Sequence, residues 1–172
     1  MSDTNFDEIK YYTGVGSRKT PDNIKEIMTQ LASKLERMGY ILRSGGANGA
    51  DLAFEIGVKK KQNADIYLAK HCTPAAMSIA KKFHPAWNSC NDHAKKLHGR
   101  NAFQVLGGGL EQPSKFLVCW TPDGCISHKD RTIETGGTGT AISIADYYKI
   151  EIINLKIESH FYRILSFINK DR

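Results

Sequence analysis

The chain has 172 residues, a length that suits one domain with a full-sized core, and its 41% hydrophobic and 24% charged residues are ordinary for a globular protein. No uninterrupted apolar run is long enough to cross a bilayer, and the polar start Met1-Ser2-Asp3-Thr4-Asn5 lacks the basic and apolar regions of a signal peptide. That predicts a cytosolic protein with no membrane partner. The formal net charge of +6 fits an anionic partner, free nucleotide or nucleic acid, and fits equally well a lysine-rich surface kept for solubility.

In chain order, residues 10–15 read as a first strand ending at Gly16. Thr20-Pro21-Asp22 reads as a helix start, with Thr20 at the N-cap and Pro21 at the first helical position. Ile24, Ile27, Met28, Leu31, Leu35 and Met38 follow at helical spacing, and Gly39 closes the helix. Residues 40–43 are a second strand, a second helix starts near Ala50, and residues 64–68 are a third strand. Strand, helix, strand, helix, strand with short connections predicts an α/β chain of Rossmann-like, three-layer type: one domain over 1–172, a mostly parallel sheet, helices on both faces. The middle, residues 71–109, looks less regular, with short helices expected over 75–83 and 91–98. An apolar strand over 116–120, a helix over 139–148, a last strand over 150–155 and an amphipathic helix carrying Ile157, Phe161, Ile164, Leu165 and Ile168 complete the pattern.

The four cysteines, Cys72, Cys90, Cys119 and Cys125, form no CxxC pair and are expected as free thiols. Cys72 and Cys90 share a segment with His71, His84, His93 and His98, which raises a zinc site. Their spacing matches no compact zinc motif, so scattered polar residues on surface helices are expected, with no metal and no other cofactor.

Three small-residue turns open helices: Gly14-Val15-Gly16-Ser17-Arg18, Ser44-Gly45-Gly46-Ala47-Asn48-Gly49 and Thr135-Gly136-Gly137-Thr138-Gly139-Thr140. In a parallel sheet the strand C-termini share one edge, so the first two turns converge, and the third joins them if its strand is the 116–120 run. Glycine admits a ligand close to the backbone, and a helix N-terminus offers free N–H groups to a phosphate. Ser17, Thr138 and Thr140 add hydroxyls, and Arg18 a charged clamp. The bland alternative is three turns that need glycine only to turn; the GxGxxG fingerprint is incomplete, with Lys19 at its third glycine.

Asp51 and Glu55 lie one helical turn apart and predict carboxylates near that edge, as does Asp123 in the Pro122-Asp123-Gly124 turn. Trp120 is a candidate to contact a base or sugar. Residues 129–131 read as a flap, and the His98-Gly99-Arg100-Asn101 stretch reads as a surface loop or as a loop that delivers Arg100 to the ligand.

Taken together, Gly14-Val15-Gly16-Ser17-Arg18, the run from Arg43 to Asp51 and Gly136-Gly137-Thr138-Gly139-Thr140 resemble the Rossmann-like superfamily of DNA processing protein A (Smf) and the Lonely Guy phosphoribohydrolases. The likeness covers roughly residues 10–155 and is nearest to small stand-alone members of the DNA-processing branch, often carried by phages. It implies a nucleotide- or nucleic-acid-binding protein, with phosphate held by Gly16, Ser17, Arg18, Ser44, Gly45, Gly46, Ala47 and residues 136–140. A homodimer in a host cytoplasm also follows from it. The Lonely Guy signature PGGxGTxxE ends in a glutamate that takes part in catalysis; here Thr135 replaces the proline and Ser143 stands at the glutamate position. An N-glycosidic hydrolase would then need Asp51, Glu55 or Asp123 instead. The alternatives are that enzyme, a single-stranded DNA-binding recombination mediator, and a non-catalytic nucleotide sensor or sponge.

Overall fold

The computed structural model describes residues 8–170. It holds five strands and six α-helices: β1 (Lys10–Gly14), α1 (Asp22–Arg37), β2 (Tyr40–Ser44), α2 (Ala50–Gly57), β3 (Ala64–Ile66), α3 (Pro74–Phe83), α4 (Asp92–Leu106), β4 (Phe116–Cys119), α5 (Thr138–Tyr147), β5 (Glu151–Asn154) and α6 (Glu158–Asn169). Short 3-10 turns punctuate the connections. All strand pairs are parallel, in the order β3-β2-β1-β4-β5. The winding runs outward from β1 in one direction and from β4 in the other, so the topological switch point lies between β1 and β4.

Strand side chains alternate between the two faces. Tyr12, Leu42, Val118 and Ile153 pack with α1, α2 and α6 in one apolar core. Leu117, Cys119 and Ile152 pack with α4 and α5 in the other, together with Val15. Burial raises the Cys119 thiol far above its ordinary range, so it is an inert core group. Two polar strand residues face the α4 side and bond there, although Arg43 Nε has no partner. Thr13 Oγ1 donates to the Gln104 carbonyl at 2.6 Å, and Arg43 Nη1 to the Gln112 carbonyl at 2.6 Å. The Arg43 guanidinium also lies over the Tyr11 ring.

Several local expectations change in detail. Helix α1 begins at Asp22, with Pro21 in extended conformation at the N-cap. Thr20 does not cap it: its hydroxyl donates to the Ser17 carbonyl at 2.6 Å and closes the preceding turn. Strand β3 stops at Ile66 because the chain folds into a 3-10 turn at Ala69–His71. The largest correction is the middle segment. Helix α4 runs unbroken through residues 98–101, where a loop was expected, and is mostly buried from Gly99 to Leu106. Gly99 is therefore no turn. A Cβ there would meet Cys72 Sγ at 2.3 Å and Met77 Cγ at 2.9 Å, so the glycine lets α3 approach α4. Residues 129–131 are not loose at Arg131, whose guanidinium donates to the Phe83 carbonyl at 2.7 Å and to Ser143 Oγ at 3.1 Å. No helix among the described residues is long and apolar enough to cross a membrane.

Candidate functional site: a cleft at the switch point

A cleft of about 550 Å³ opens at the C-terminal edge of β1 and β4, a size ordinary for small-molecule sites. Residues 16–19, Ala47 and Asp51 form one wall, and residues 133–138 the opposite one. Leu97, His98, Arg100, Asn101 and Gln104 of α4 close a third side.

The first wall is two turns locked together. Ser17 N donates to the Trp120 carbonyl at 3.0 Å, which ties the first turn to the end of β4. Gly49 has φ of +90°, and a Cβ there would lie 2.6 Å from the Ser17 carbonyl oxygen and 2.7 Å from Arg18 Cα. The second turn can pack backbone to backbone on the first only because this residue is glycine. Asp51 holds the junction from below. Its Oδ2 accepts from the Ala47 amide at 3.3 Å, and the amides of Gly16 and Gly45 also reach the carboxylate. Burial pushes the Asp51 carboxyl up to about 6, against the Arg100 guanidinium and these three amides, which all favour its charged form.

The opposite wall is open. Gly136 and Gly137 lead into α5; a Cβ on Gly137 would meet nothing within 4 Å, and one on Gly136 only the Glu134 carbonyl at 4.0 Å. Thr138 begins α5 and lines the cleft. The N-terminus of α5 thus faces the cleft with free approach to its backbone, opposite the exposed side chains of Arg18 and Lys19.

Helix α4 supplies the floor. The Arg100 guanidinium donates to the Gly45 carbonyl, while its Nε has no partner. Neither the oxygen nor the nitrogen of the buried Gln104 side-chain amide has one. Asn101 Nδ2 donates to the Gly137 carbonyl at 3.1 Å and joins α4 to the open turn. Burial, with the charges of His84, Arg131 and Arg100 behind it, lowers the His98 imidazole to about 4, so it is neutral near pH 7.

The candidate residues therefore separate. Gly16, Ser17, Arg18, Ala47, Asp51, Gly136, Gly137 and Thr138 line the cleft. Gly45 and Gly46 shape the second turn: a Cβ on Gly45 would sit 2.3 Å from Gln104 Nε2, and Gly46 turns at φ of +70°. Ser44 is fully buried, its hydroxyl donating to the Gly14 carbonyl at 2.6 Å. The Trp120 side chain belongs to the core with α1 and α2, and only its backbone serves the site. Thr140 is buried against His98, Nδ1 to Oγ1 at 3.1 Å, and Gly139 makes room for the Arg131 guanidinium. Glu55 does not line the cleft. Nor does Asp123, which accepts from Thr132 Oγ1 at 2.8 Å and from the Thr135 hydroxyl. Partial burial raises the Asp123 carboxyl, but donors from Thr135, Thr132, Thr121 and the Cys125 amide outweigh it and hold the group below its ordinary range. Ser143 is fully buried between His128 Nδ1 at 2.7 Å and Arg131 Nη1 at 3.1 Å, away from the cleft.

Lys19, Asn101 and Gln104 were not singled out by the sequence. Lys19 was legible as the residue after Arg18; the α4 pair would have required a helix continued past Gly99. Beside the cleft, the chain also brings together three of the six histidine and cysteine side chains of the middle segment. Ligand atoms of His84, Cys90 and His98 lie within 4.8 Å of one another. Compared with family models, curated proteins and solved structures, the chain finds no match in any of the three, so its function is read from this geometry.

Proposed function

We propose that the cleft binds the phosphate of a nucleotide, in the manner of the DNA processing protein A and Lonely Guy superfamily that the turn motifs resemble. One observation carries the reading: Gly137 opens α5 with nothing where a side chain would stand, in a cleft that Arg18 and Lys19 also line. A glycine that avoids no neighbour leaves its backbone N–H groups accessible to an anion. The orphaned amide of Gln104 and the Nε of Arg100 add polar groups that await a partner in the same space. The cleft is lined by no Phe, Tyr or Trp among the described residues, which favours a mononucleotide over single-stranded DNA stacked on aromatic platforms.

A second reading rests on Asp51. A cleft carboxyl raised to about 6 is poised for general acid or base work near neutral pH, as hydrolysis of an N-glycosidic bond requires. Isothermal titration with a panel of nucleoside mono-, di- and triphosphates, inorganic phosphate and a short oligodeoxynucleotide tests both readings, with chromatography of the recovered ligand. Binding of a nucleotide that weakens about tenfold or more in Arg18→Ala is expected. Absence of binding across the panel, or binding of the oligonucleotide alone, would overturn it. Release of free base that stops in Asp51→Asn would establish the hydrolase; intact ligand from the native protein would dismiss it and leave the sensor.

A further inference from the structure

The segment between β3 and β4 brings three ligating side chains together, and one of them, His98, lines the cleft. His84 caps the C-terminus of α3, Cys90 follows the 3-10 turn Trp87–Ser89, and His98 lies within α4. Cys90 Sγ stands 3.8 Å from His84 Nε2, and the two imidazole rings have centroids 4.2 Å apart. In a tetrahedral zinc site, bonds of ~2.05 Å to nitrogen and ~2.3 Å to sulfur put ligand atoms about 3.5 Å apart. A group already within 4.8 Å needs only a contraction of roughly 1 Å to close on an ion.

We propose that His84, Cys90 and His98 bind one divalent ion of the zinc class, with the fourth coordination position open towards the cleft. The donor set decides the class: one thiolate and two imidazoles suit zinc and cobalt and are poor ligands for magnesium or calcium. Three protein ligands with a vacant position are the arrangement of zinc sites that also bind water or substrate. His98 is oriented for it. Its Nδ1 is engaged by Thr140 Oγ1 at 3.1 Å, which leaves Nε2 for the ion; with the ion there, Nδ1–H donates to that hydroxyl. His98 also lines the cleft, so the ion lies beside the anion-binding space.

No redox step is involved. The Cys90 thiol gives its proton to solvent and its sulfur electron pair to the ion. His84 Nδ1 now accepts from the Ala86 amide at 3.1 Å. With the ion on Nε2 that nitrogen carries the proton, so the Ala86 contact opens and the 84–90 turn shifts. A dication with one thiolate and two neutral imidazoles keeps one positive charge, which favours an anionic fourth ligand. That last point rests on the phosphate reading; the ion site itself does not.

The test uses the full chain, purified under reducing conditions, stripped with a chelator and titrated with Zn²⁺ alone, then with Co²⁺ to read the thiolate charge-transfer band. One ion per chain is expected. Cys90→Ser should abolish the band and weaken zinc about a hundredfold or more, and Thr140→Val should weaken it about tenfold. Cys72→Ser and His93→Ala should leave binding unchanged, and circular dichroism shows that each variant is folded. Absence of stoichiometric binding, a cobalt band that survives Cys90→Ser, or a loss that follows Cys72→Ser would each overturn the site. Inorganic phosphate, titrated into stripped and zinc-loaded protein, separates the two readings. Phosphate binding without zinc binding removes only the ion site, and zinc binding with no phosphate binding in either form removes the anion-binding role of the cleft and the open position.

Discussion

The two walls of the cleft use glycine in opposite ways. On the wall built from the first two turns, Gly16, Gly45 and Gly49 are each pressed against other atoms: Ala50 Cβ at 2.7 Å, Gln104 Nε2 at 2.3 Å and the Ser17 carbonyl at 2.6 Å from where a Cβ would be. On the α5 wall, Gly137 has no neighbour within 4 Å. The first set is required by the fold whether or not a ligand exists. The second is unexplained by packing, and so points outward to a ligand. A glycine-rich turn gains functional weight from empty space beside it, not from its glycine count.

Three substitutions separate the walls. Gly49→Ala should have the largest effect. It combines a positive φ with a clash against backbone, and should lower stability by about 3 kcal/mol or more in urea denaturation. A loss below about 1 kcal/mol would break the claim that the two turns are locked by that contact. Arg100→Met comes next. It leaves Asp51 buried without its guanidinium and should cost about 2 kcal/mol at pH 7. The sign follows from the direction of the shift. The Asp51 carboxyl is raised from its ordinary 3.8 to about 6 in the folded protein, so its contribution is full below 3.8 and is lost as pH rises through 6. Removing Arg100 raises it further, so the loss at pH 7 should exceed the loss at pH 5; equal losses would sink the pairing. Gly137→Ala should be the mildest for stability, within about 0.5 kcal/mol, because its backbone is helical and its surroundings open. Its effect should appear in nucleotide affinity instead, about tenfold, or 1.4 kcal/mol. Unchanged affinity would return the α5 turn to the same class as the other wall.

The architecture was legible because β1 and β2 run into small-residue turns and α1 keeps a clean apolar stripe from Ile24 to Leu35. The middle segment was not. In α4, Gly99 interrupts the periodicity and mimics a stop, because the reason for it lies elsewhere in the chain, at Cys72 just before α3 and at Met77 on it. Side-chain roles failed for the same non-local reason. Trp120 follows the interior strand β4 and reads as a ligand contact, yet the core formed with α1 and α2 claims its ring. Asp123 was expected to face the ligand, but Thr132 and Thr135, which arrive from later in the chain, donate to its Oδ2, and the Cys125 amide donates to its Oδ1. The ligand atoms of His84, Cys90 and His98 converge only through the packing of α3 on α4, which spacing along the chain does not encode.

Thr13 pairs with Arg43 on one side and with Leu117 on the other, closing a second loop more than three times as long as the first. Loop-closure entropy grows only with the logarithm of length, so this longer excursion adds about 1 kcal/mol to the cost of bringing the strand ends together. Residues 67–115 thus supply the floor of the cleft and, next to His98, a group of nitrogen and sulfur donors for a modest entropic cost. The sheet can carry so elaborate a connection at its centre because length, once a loop is long, adds little to the cost of closing it.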